Sequence, residues 1–285
     1  MFWLNGVERS ADEPQLSPLD RGFTLADGLF ETMRASHGVL FRLDAHLDRL
    51  CTGARLLGIP LPAGLRDHVA SATRSAAAAG YEHASVRLTV TRGPAPPGLA
   101  PPPHPAPTFA LLVSPLTPAA APRPLVATMA AARRNEFAAT CGIKTLAYTE
   151  SVLALSQAKA AGADDAIFLD TAGHASEATA SNLFAVLDGT LVTPPLSCGV
   201  LPGITRAAVL ELAHALGINA MEREIVEPEL AAASEIFLTS SIREIAPLAR
   251  IDTIAVGSGR CGPISGRLAD AYAALLADLD LHDVL

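Results

Sequence analysis

The chain has 285 residues, half of them apolar, and carries a net charge of −8 with a pI near 5.5. This length fits either one large domain or two of ordinary size, and we expect two. The acidic balance, without any block of lysine or arginine, disfavours a nucleic-acid partner, and no apolar run approaches the roughly 18 residues that a membrane span needs.

The pattern of apolar residues and turns in the first 115 residues predicts strands, then helices, then strands again. An Asn-Gly turn in "WLNGV" and the two alternating runs of "GLFETMRASHGVLFRL" are typical of hairpins. Leucines at helical spacing predict helices in "LDAHLDRLCTGARLLG", where His46 is an ordinary polar residue, and in "AGLRDHVASATRSAAAAG". The segments "ASVRLTVTRG" and "TFALLVSPL" predict strands, and eight prolines exclude regular structure in residues 94–107 between them.

A proline-rich stretch, "SPLTPAAAPRP", predicts a linker and divides the chain into domains 1–115 and 125–285, with 116–124 between them. The second domain mixes strands and helices without sustained βαβ alternation, which indicates an α+β fold. Its predicted strands are "LVATMAA", "DAIFLD", "NLFAVLDGTLVTP", "AMEREIV", "EIFLTSS" and "IAPLARI", and its predicted helices are "SVLALSQAKAAG", "TRAAVLELAHALG" and "ISGRLADAYAALLADL". Neither a P-loop nor a G-x-G-x-x-G motif is present.

The cysteines favour a reducing compartment. Cys51, Cys141, Cys198 and Cys261 are far apart and form no C-x-x-C pair, and the eight histidines lack metal-binding spacing. Free thiols are therefore expected, rather than disulfides or a zinc site. Because the opening "MFWLNGVERS" also lacks the pattern of a secretory signal, we expect a cytoplasmic protein.

Lysine is rare in this chain. Of the 21 basic residues only Lys144 and Lys159 are lysine, and the others are arginine. Unlike arginine, lysine can lose its proton and attack a carbonyl carbon, which is Schiff-base chemistry. Lys159 lies among small and polar residues of a predicted helix, where an exposed role is expected. Coding bias is the alternative explanation for the two lysines.

Three further segments suggest binding groups. In "GVLPGITRAAVLELA" a turn at Gly203, expected to be flexible, precedes a helix whose first N–H groups, at Ile204 and Thr205, favour an anion. Ser240 and Ser241 in "LTSSIRE" offer further donors. Glu177 in "HASEATASNLF" offers a carboxylate for a heterocyclic nitrogen. A Schiff-base lysine, a phosphate cradle and such a carboxylate are what pyridoxal 5'-phosphate (PLP) requires of a protein.

Six motifs occur in the order and approximate spacing of the class IV, or fold-type IV, PLP enzymes, and the chain resembles that family from about Asn5 to Leu268. They are "RGFTLADGLFETMR", "HLDRL", "GIKTLAY", "SEATASNLF", "LVTPPLSCGVLPGITR" and "FLTSSIREIAPL". The family includes branched-chain and D-amino acid aminotransferases, (R)-selective amine aminotransferases and aminodeoxychorismate lyases. The resemblance implies two α/β domains with the cofactor at their interface, and a homodimer.

The resemblance also implies roles for individual residues. Lys144 resembles the lysine that forms the Schiff base and shuttles a proton, and Glu177 resembles the partner of the pyridine nitrogen. Arg49, Ile204, Thr205 and Ser241, or Ser240, resemble the phosphate cup. Tyr148 is similar to the tyrosine near the phenolic oxygen or is a core aromatic, and Asn182 orders the loop beside the cofactor. Phe30 and Thr32 are expected to contact the substrate, and Arg34, Arg87 and Arg92 are candidates for binding its carboxylate, or else strand-surface or salt-bridged residues.

Departures from the family pattern bear on the substrate. Ala147 stands where many relatives have asparagine, Thr32 replaces the glycine of the branched-chain pattern, and Pro97 replaces an arginine of lyase-like loops. We therefore expect an aminotransferase acting on an amino acid and a 2-oxo acid. The alternatives are an aminodeoxychorismate lyase, forming 4-aminobenzoate and pyruvate, a non-catalytic ligand-binding module, and a nucleotide-binding module supported only by "LPGIT".

Overall fold

The computed structural model describes residues 1–10, 12, 13, 16–117 and 123–278. By its contacts the chain divides into two compact units, which are described separately. Unit 1 comprises Met1–Pro118, Ile143–Ala147 and Leu276–Leu285, and unit 2 comprises Ala119–Gly142 and Tyr148–Leu275. This division groups Lys144 with unit 1, whereas the boundaries predicted from the sequence placed it in the C-terminal domain, 125–285. Residues 118–122 of the predicted linker lie outside the described residues.

Unit 1 contains a six-stranded antiparallel sheet in the order β2-β1-β6-β5-β3-β4. The strands are β1 (Phe2–Leu4), β2 (Val7–Arg9), β3 (Gly28–Ser36), β4 (Val39–Leu40), β5 (His83–Thr91) and β6 (Thr108–Pro115). The helices are α1 (Arg21–Leu25), α2 (Leu43–Leu57) and α3 (Leu65–Ala78). The predicted helices and strands of this region are confirmed, and α1 is an addition that the sequence did not predict.

The alternation of side chains along the strands explains the core of unit 1. In β5, Val86, Leu88 and Val90 are fully buried, while the intervening Arg87 is half-buried. The buried face packs with Leu50 of α2 and other apolar residues of α2 and α3. The opposite face of β3 and β5 carries Phe30 and Arg87 and is the face that positions functional groups.

Unit 2 contains a nine-stranded mixed sheet. The strands are β7 (Leu125–Arg134), β8 (Asp165–Asp170), β9 (Ala175–Ala178), β10 (Asn182–Leu187), β11 (Thr190–Thr193), β12 (Ala220–Glu222), β13 (Glu235–Ser240), β14 (Glu244–Ile251) and β15 (Ile254–Ala255). The helices are α4 (Thr149–Ala160), α5 (Ile204–Ala215), α6 (Glu227–Ala232) and α7 (Pro263–Ala277), with one 3-10 turn at Leu196–Cys198.

Six of these strands close into a ring in the order β10-β13-β14-β7-β8-β9, because β9 pairs with both β8 and β10. The pairs β14–β7 and β7–β8 are parallel, and the other pairs of the ring are antiparallel. Strand β8 shows no alternation of buried and exposed residues, because it is buried along its whole length. The ring places β9, with Glu177, between two strands.

The sequence predicted most elements of unit 2 but missed four short ones. The predicted helices correspond to α4, α5 and α7, and the predicted strands to β7, β8, β10, β11, β13 and β14. The segment "AMEREIV" forms only the three-residue β12, and β9, β15, α6 and the 3-10 turn were not predicted. No helix among the described residues is both long enough and apolar enough to cross a lipid bilayer.

Candidate functional site

Lys144 is held beside β3 of unit 1. The N–H of Phe30 donates to the Lys144 carbonyl at 3.0 Å, and the N–H of Leu146 donates to the Gly28 carbonyl at 3.0 Å. A side chain at Gly28 would collide with the Val90 carbonyl oxygen, since an added Cβ would lie 2.5 Å from that oxygen and 2.7 Å from Leu146 Cδ1. The segment Ile143–Ala147 therefore lies along β3, and its main chain fixes the position of the half-buried Lys144.

The Phe30 ring lies beside two cationic groups of unit 1. Lys144 Nζ is 4.4 Å from the ring centroid, and the Arg87 guanidinium carbon is 3.8 Å from it. Both distances are within the range of a cation–π interaction. An amine and a guanidinium are thus brought close to one buried apolar ring, on the face of β3 opposite to Leu29 and Met33.

The other predicted substrate residues of β3 follow Phe30 on the same face. Thr32 pairs directly with Arg87, and Arg34 pairs with Ser85. Because strand residues at i, i+2 and i+4 share a face, Phe30, Thr32 and Arg34 line the face that carries Arg87. Thr32 and Arg34 are half-buried.

Arg92 forms a salt bridge, which was the alternative to a substrate-binding role. Its guanidinium is buried and donates to Asp27 at 2.7 Å and 3.1 Å, and to the carbonyls of Leu57 and Gly58 at 2.7 Å and 2.8 Å. Burial acts to raise the pKa of Asp27, but hydrogen bonds from Arg92 and Arg21 outweigh it, so this pKa lies below its usual value. Arg92 therefore ties the end of β5 to the end of α2, and we withdraw its assignment to a substrate carboxylate.

Arg49 of α2 forms a bidentate pair with the buried Glu31. Arg49 Nε and Nη2 lie 2.8 Å and 2.5 Å from the two carboxylate oxygens. Burial acts to raise the pKa of Glu31, but hydrogen bonds from Arg49 and His46 outweigh it and hold the pKa below its usual value. Glu31 thus fixes the guanidinium plane of Arg49.

His46 is a correction to the sequence analysis, because it lies on α2 as predicted but is fully buried. Its Nδ1 lies 2.7 Å from Glu31 Oε2. Burial lowers the pKa of His46 and outweighs the opposing effect of Glu31. A neutral ring then donates Nδ1–H to Glu31. The other ring nitrogen, Nε2, is buried without a hydrogen-bond partner among the described residues.

In unit 2, Glu177 of β9 accepts hydrogen bonds from two groups. The N–H of Leu201 donates to Oε2 at 3.0 Å, and Asn182 Nδ2 lies 3.3 Å from the same oxygen. Arg134 Nη2 lies 3.6 Å from Oε1. Asn182 also donates to the Leu201 carbonyl at 2.9 Å. Asn182 therefore joins Glu177 to the segment that leads into α5.

The turn before α5 requires glycine for steric reasons rather than for flexibility. Gly203 has an ordinary φ of −71°, but a Cβ built there would lie 1.9 Å from Asn182 Oδ1. The expected flexible turn is thus a close approach between main chain and Asn182. Ile204 and Thr205 begin the helix, both buried, with Thr205 Oγ1 3.4 Å from the Tyr272 hydroxyl.

The remaining predicted cofactor residues lie at the ends of elements in unit 2. Ser240 ends β13, and its Oγ accepts from the Arg243 N–H at 3.2 Å, while Ser241 follows in the turn to β14. The neighbouring Thr239 has a buried Oγ1 without a hydrogen-bond partner among the described residues. Tyr148 precedes α4, and its carbonyl accepts from the Val152 N–H at 2.9 Å.

Four groups that were not predicted from the sequence support the predicted ones. Glu31 holds Arg49, His46 contacts Glu31, and Arg134 and the Leu201 N–H contact Glu177. Glu31 carried a signal, because it occupies an inward position of an alternating strand, where a carboxylate needs a buried cation. The Leu201 N–H carried none, since a main-chain donor leaves no trace in the residue type.

Comparisons with known proteins agree on one family. The model of the family described as amino-transferase class IV matches residues 28–251. A putative branched-chain-amino-acid aminotransferase of Methanocaldococcus jannaschii is 34% identical over 272 residues, which cover 95% of this chain and 94% of that protein.

Two solved structures extend the comparison. The branched-chain amino acid aminotransferase of Escherichia coli matches with a TM-score of 0.90 and 29% identity, covering 96% of this chain and 94% of that one. The 4-amino-4-deoxychorismate lyase of Pseudomonas aeruginosa matches with a TM-score of 0.85 and 32% identity, covering 96% and 98%. Other matching structures of a branched-chain aminotransferase contain pyridoxamine 5'-phosphate or a phosphopyridoxyl-glutamate adduct.

Proposed function

Since this chain belongs to the class IV aminotransferase family and is a PLP-dependent aminotransferase, we propose that Lys144 is its catalytic residue and Arg87 its site for a substrate carboxylate. The observation that carries this proposal is the approach of the Lys144 amine and the Arg87 guanidinium to the same Phe30 ring, at 4.4 Å and 3.8 Å from its centroid.

The donor set of each unit fits PLP. Unit 2 supplies a carboxylate for the ring nitrogen at Glu177 and main-chain N–H donors for a phosphate at the start of α5, with Asn182 contacting both segments. Unit 1 supplies the amine of Lys144 and the guanidinium of Arg49. We assign Ser240, Ser241 and Tyr148 to supporting contacts with the phosphate and the phenolic oxygen.

PLP, when bound, supplies a ring that stabilises negative charge on the α-carbon of an amino acid. Lys144 would hold the cofactor covalently through Nζ, and the same Nζ, once free, would accept the proton from the substrate α-carbon. Glu177 would keep the ring nitrogen protonated. Its contacts with the Leu201 N–H, Asn182 and Arg134 suit an ionised carboxylate.

The substrate class we propose is an aliphatic α-amino acid with the corresponding 2-oxo acid. The apolar ring of Phe30 beside a guanidinium offers contacts for an apolar side chain and for a carboxylate, respectively. The similarity to branched-chain aminotransferases supports the same class. The second candidate is an aminodeoxychorismate lyase, which the similarity to the Pseudomonas aeruginosa enzyme favours.

A half-reaction screen separates these candidates. The PLP-loaded protein is mixed in turn with L-leucine, D-alanine, an (R)-amine and aminodeoxychorismate, and the cofactor spectrum is followed. We expect L-leucine to convert the cofactor to its amine form and 2-oxo acid to restore it. Formation of 4-aminobenzoate without any spectral response to amino acids would assign the lyase activity instead.

Replacing Arg87 by glutamine should weaken substrate binding. A guanidinium–carboxylate contact is worth about 1.5–3 kcal/mol, so KM for the amino acid should rise roughly 10-fold to 100-fold. The matched control is Arg74→Gln, because Arg74 is exposed on α3. Steady-state kinetics of both variants provide the measurement, and an unchanged KM in Arg87→Gln would remove Arg87 from the substrate site.

Arg49→Ala should release PLP more readily than Thr205→Ala does. Arg49 offers a full positive charge, whereas Thr205 offers a hydroxyl and one main-chain N–H that alanine retains. The expected order of PLP dissociation constants is wild type below Thr205→Ala, and Thr205→Ala below Arg49→Ala by roughly tenfold or more. Equilibrium dialysis measures these constants. Equal retention by wild type and Arg49→Ala would remove Arg49 from the phosphate cup.

We further propose a cytoplasmic homodimer. Apolar side chains are exposed close together in sequence, with Phe23 79% exposed and Leu19 and Leu25 about half exposed, which suits a surface covered by a second copy. The four cysteines are free thiols, as a reducing compartment favours. Sedimentation velocity should give a dimer, and a fully active monomer would contradict it. Fractionation of the source cells tests the compartment.

A further inference from the structure

Three side chains of unit 2, outside the groups assigned to PLP, bring different metal-ligand atoms together. Asp170 ends β8, His174 follows in the turn before β9, and Cys198 ends the 3-10 turn Leu196–Cys198. One ligand atom from each lies within 4.8 Å of the other two. No other such group was found among the described residues. The chain spacing concealed this cluster, since Cys198 is distant in sequence from the other two residues.

The cluster is enclosed and already ordered by hydrogen bonds. Asp170 and Cys198 are 3% and 1% exposed. Asp170 Oδ1 accepts from the His174 N–H at 2.8 Å, and Asp170 Oδ2 lies 3.2 Å from His174 Nδ1. Ligand atoms in a tetrahedral zinc site lie about 3.3–3.6 Å apart, from metal–ligand distances near 2.0–2.3 Å. The nitrogen–oxygen separation of 3.2 Å lies just below this range, so the two atoms need to move apart by only about 0.1–0.4 Å to share a zinc ion.

The surrounding charges favour a cation. The buried carboxylate of Asp170 belongs to the cluster, and the carboxylate of Glu224 lies beside it. Glu224 Oε2 lies 3.6 Å from His174 Nε2, on the side of the ring opposite to Nδ1. A carboxylate behind a ligating imidazole is the usual outer contact of a zinc-bound histidine.

We propose that Asp170, His174 and Cys198 form a binding site for Zn²⁺, with Glu224 orienting the imidazole. Thiolate, imidazole and carboxylate are all zinc ligands, and the thiolate disfavours calcium and magnesium. Three protein ligands leave the fourth position to water. Binding transfers the Cys198 proton to solvent, so that the thiolate sulfur bonds to the ion.

The ion would connect the end of β8 to the 3-10 turn. Leu201, three residues after Cys198, donates its N–H to Glu177 at 3.0 Å. Zn²⁺ at this cluster would therefore fix the segment that supplies that donor, without contacting the reacting atoms. The role proposed for the ion is structural, so the test measures metal binding rather than turnover.

The test is titration of the PLP-loaded protein with Zn²⁺ in competition with a chelator, followed by zinc X-ray absorption. Wild type should bind one Zn²⁺ per chain with a sulfur ligand at about 2.3 Å. Cys198→Ser and His174→Asn should lose this site, and Glu224→Gln should weaken it roughly 10-fold to 100-fold. The matched thiol control, Cys261→Ser, should bind as wild type does, because Cys261 is exposed and outside the cluster.

His174→Asn keeps the test decisive if Cys198→Ser does not fold, because His174 is only half-buried. Three results would overturn the proposal: no Zn²⁺ bound by wild type, an absorption spectrum without sulfur, or unaltered binding in His174→Asn. Unaltered binding in His174→Asn would mean that the zinc is held elsewhere, for example by the cofactor phosphate.

Discussion

Lys144→Arg is expected to fold but to lose the visible absorption band of the lysine-bound cofactor and nearly all turnover. Arginine keeps the positive charge, and its guanidinium can occupy the same position over the Phe30 ring, so the packing of unit 1 should persist. It neither forms a Schiff base nor moves a proton near neutral pH. The loss in turnover should be roughly 100-fold to 10,000-fold, the general range for a positioned acid–base group.

Lys159→Arg is the matched control, because the only other lysine of the chain lies on the exposed side of α4, where its Nζ is 3.6 Å from Asp164. This variant should keep both the absorption band and the turnover. Borohydride reduction of the native protein, followed by peptide mapping, should place the pyridoxyl group on Lys144. A pyridoxyl group on Lys159, or normal turnover of Lys144→Arg, would show that coding bias alone accounts for the two lysines.

Glu31→Gln should destabilise the protein by roughly 3–5 kcal/mol, the usual cost of removing one partner from a buried ion pair. The substitution preserves shape but removes the buried carboxylate that holds the Arg49 guanidinium, which is 10% exposed. It also weakens the hydrogen bond from His46. Urea unfolding of the PLP-free protein measures the free energy, so that changes in cofactor retention do not contribute.

Asp48→Asn is the control for Glu31→Gln, because Asp48 is exposed beside Arg49 and its replacement should change stability by no more than about 0.5 kcal/mol.

The pH dependence of the free energy of unfolding provides a second check on Glu31. The pKa of Glu31 is lowered from 4.5 on folding, so its stabilisation is complete above that value and is lost as the pH falls through the folded pKa. The stability difference between wild type and Glu31→Gln should therefore narrow below pH 4.5. A loss of stability below about 1 kcal/mol in Glu31→Gln at neutral pH would contradict the role assigned to Glu31.

The elements with clear periodicity could be predicted from the sequence. Alternation identified β3 and β5, and the turn glycines Gly6 and Gly38, both with positive φ, identified the two hairpins of unit 1. Lys144 was recognisable because the chemistry of an amine cannot be supplied by arginine. These signals depend on residue type and local spacing, which the sequence contains directly.

The contacts that orient the functional groups could not be predicted in the same way. Arg49 lies in the middle of a predicted helix and Arg92 near the end of a predicted strand, and the first pairs with Glu31 whereas the second pairs with Asp27 and two carbonyls. Which carboxylate meets which guanidinium depends on how α2 packs on the sheet. The short strand β9 escaped prediction because four residues carry too little periodicity, although this strand holds Glu177.

The closed ring of unit 2 has a consequence for the order of events during synthesis. Glu177 lies on β9, whose pairing to β8 and β10 completes a circle that also needs β13 and β14, the last of which ends at Ile251. A ribosome-bound chain that stops before residue 235 lacks two of the six strands and cannot close the circle. The carboxylate for the cofactor should therefore reach its final position late in translation, and tight PLP binding should report that nearly the whole chain has emerged and folded.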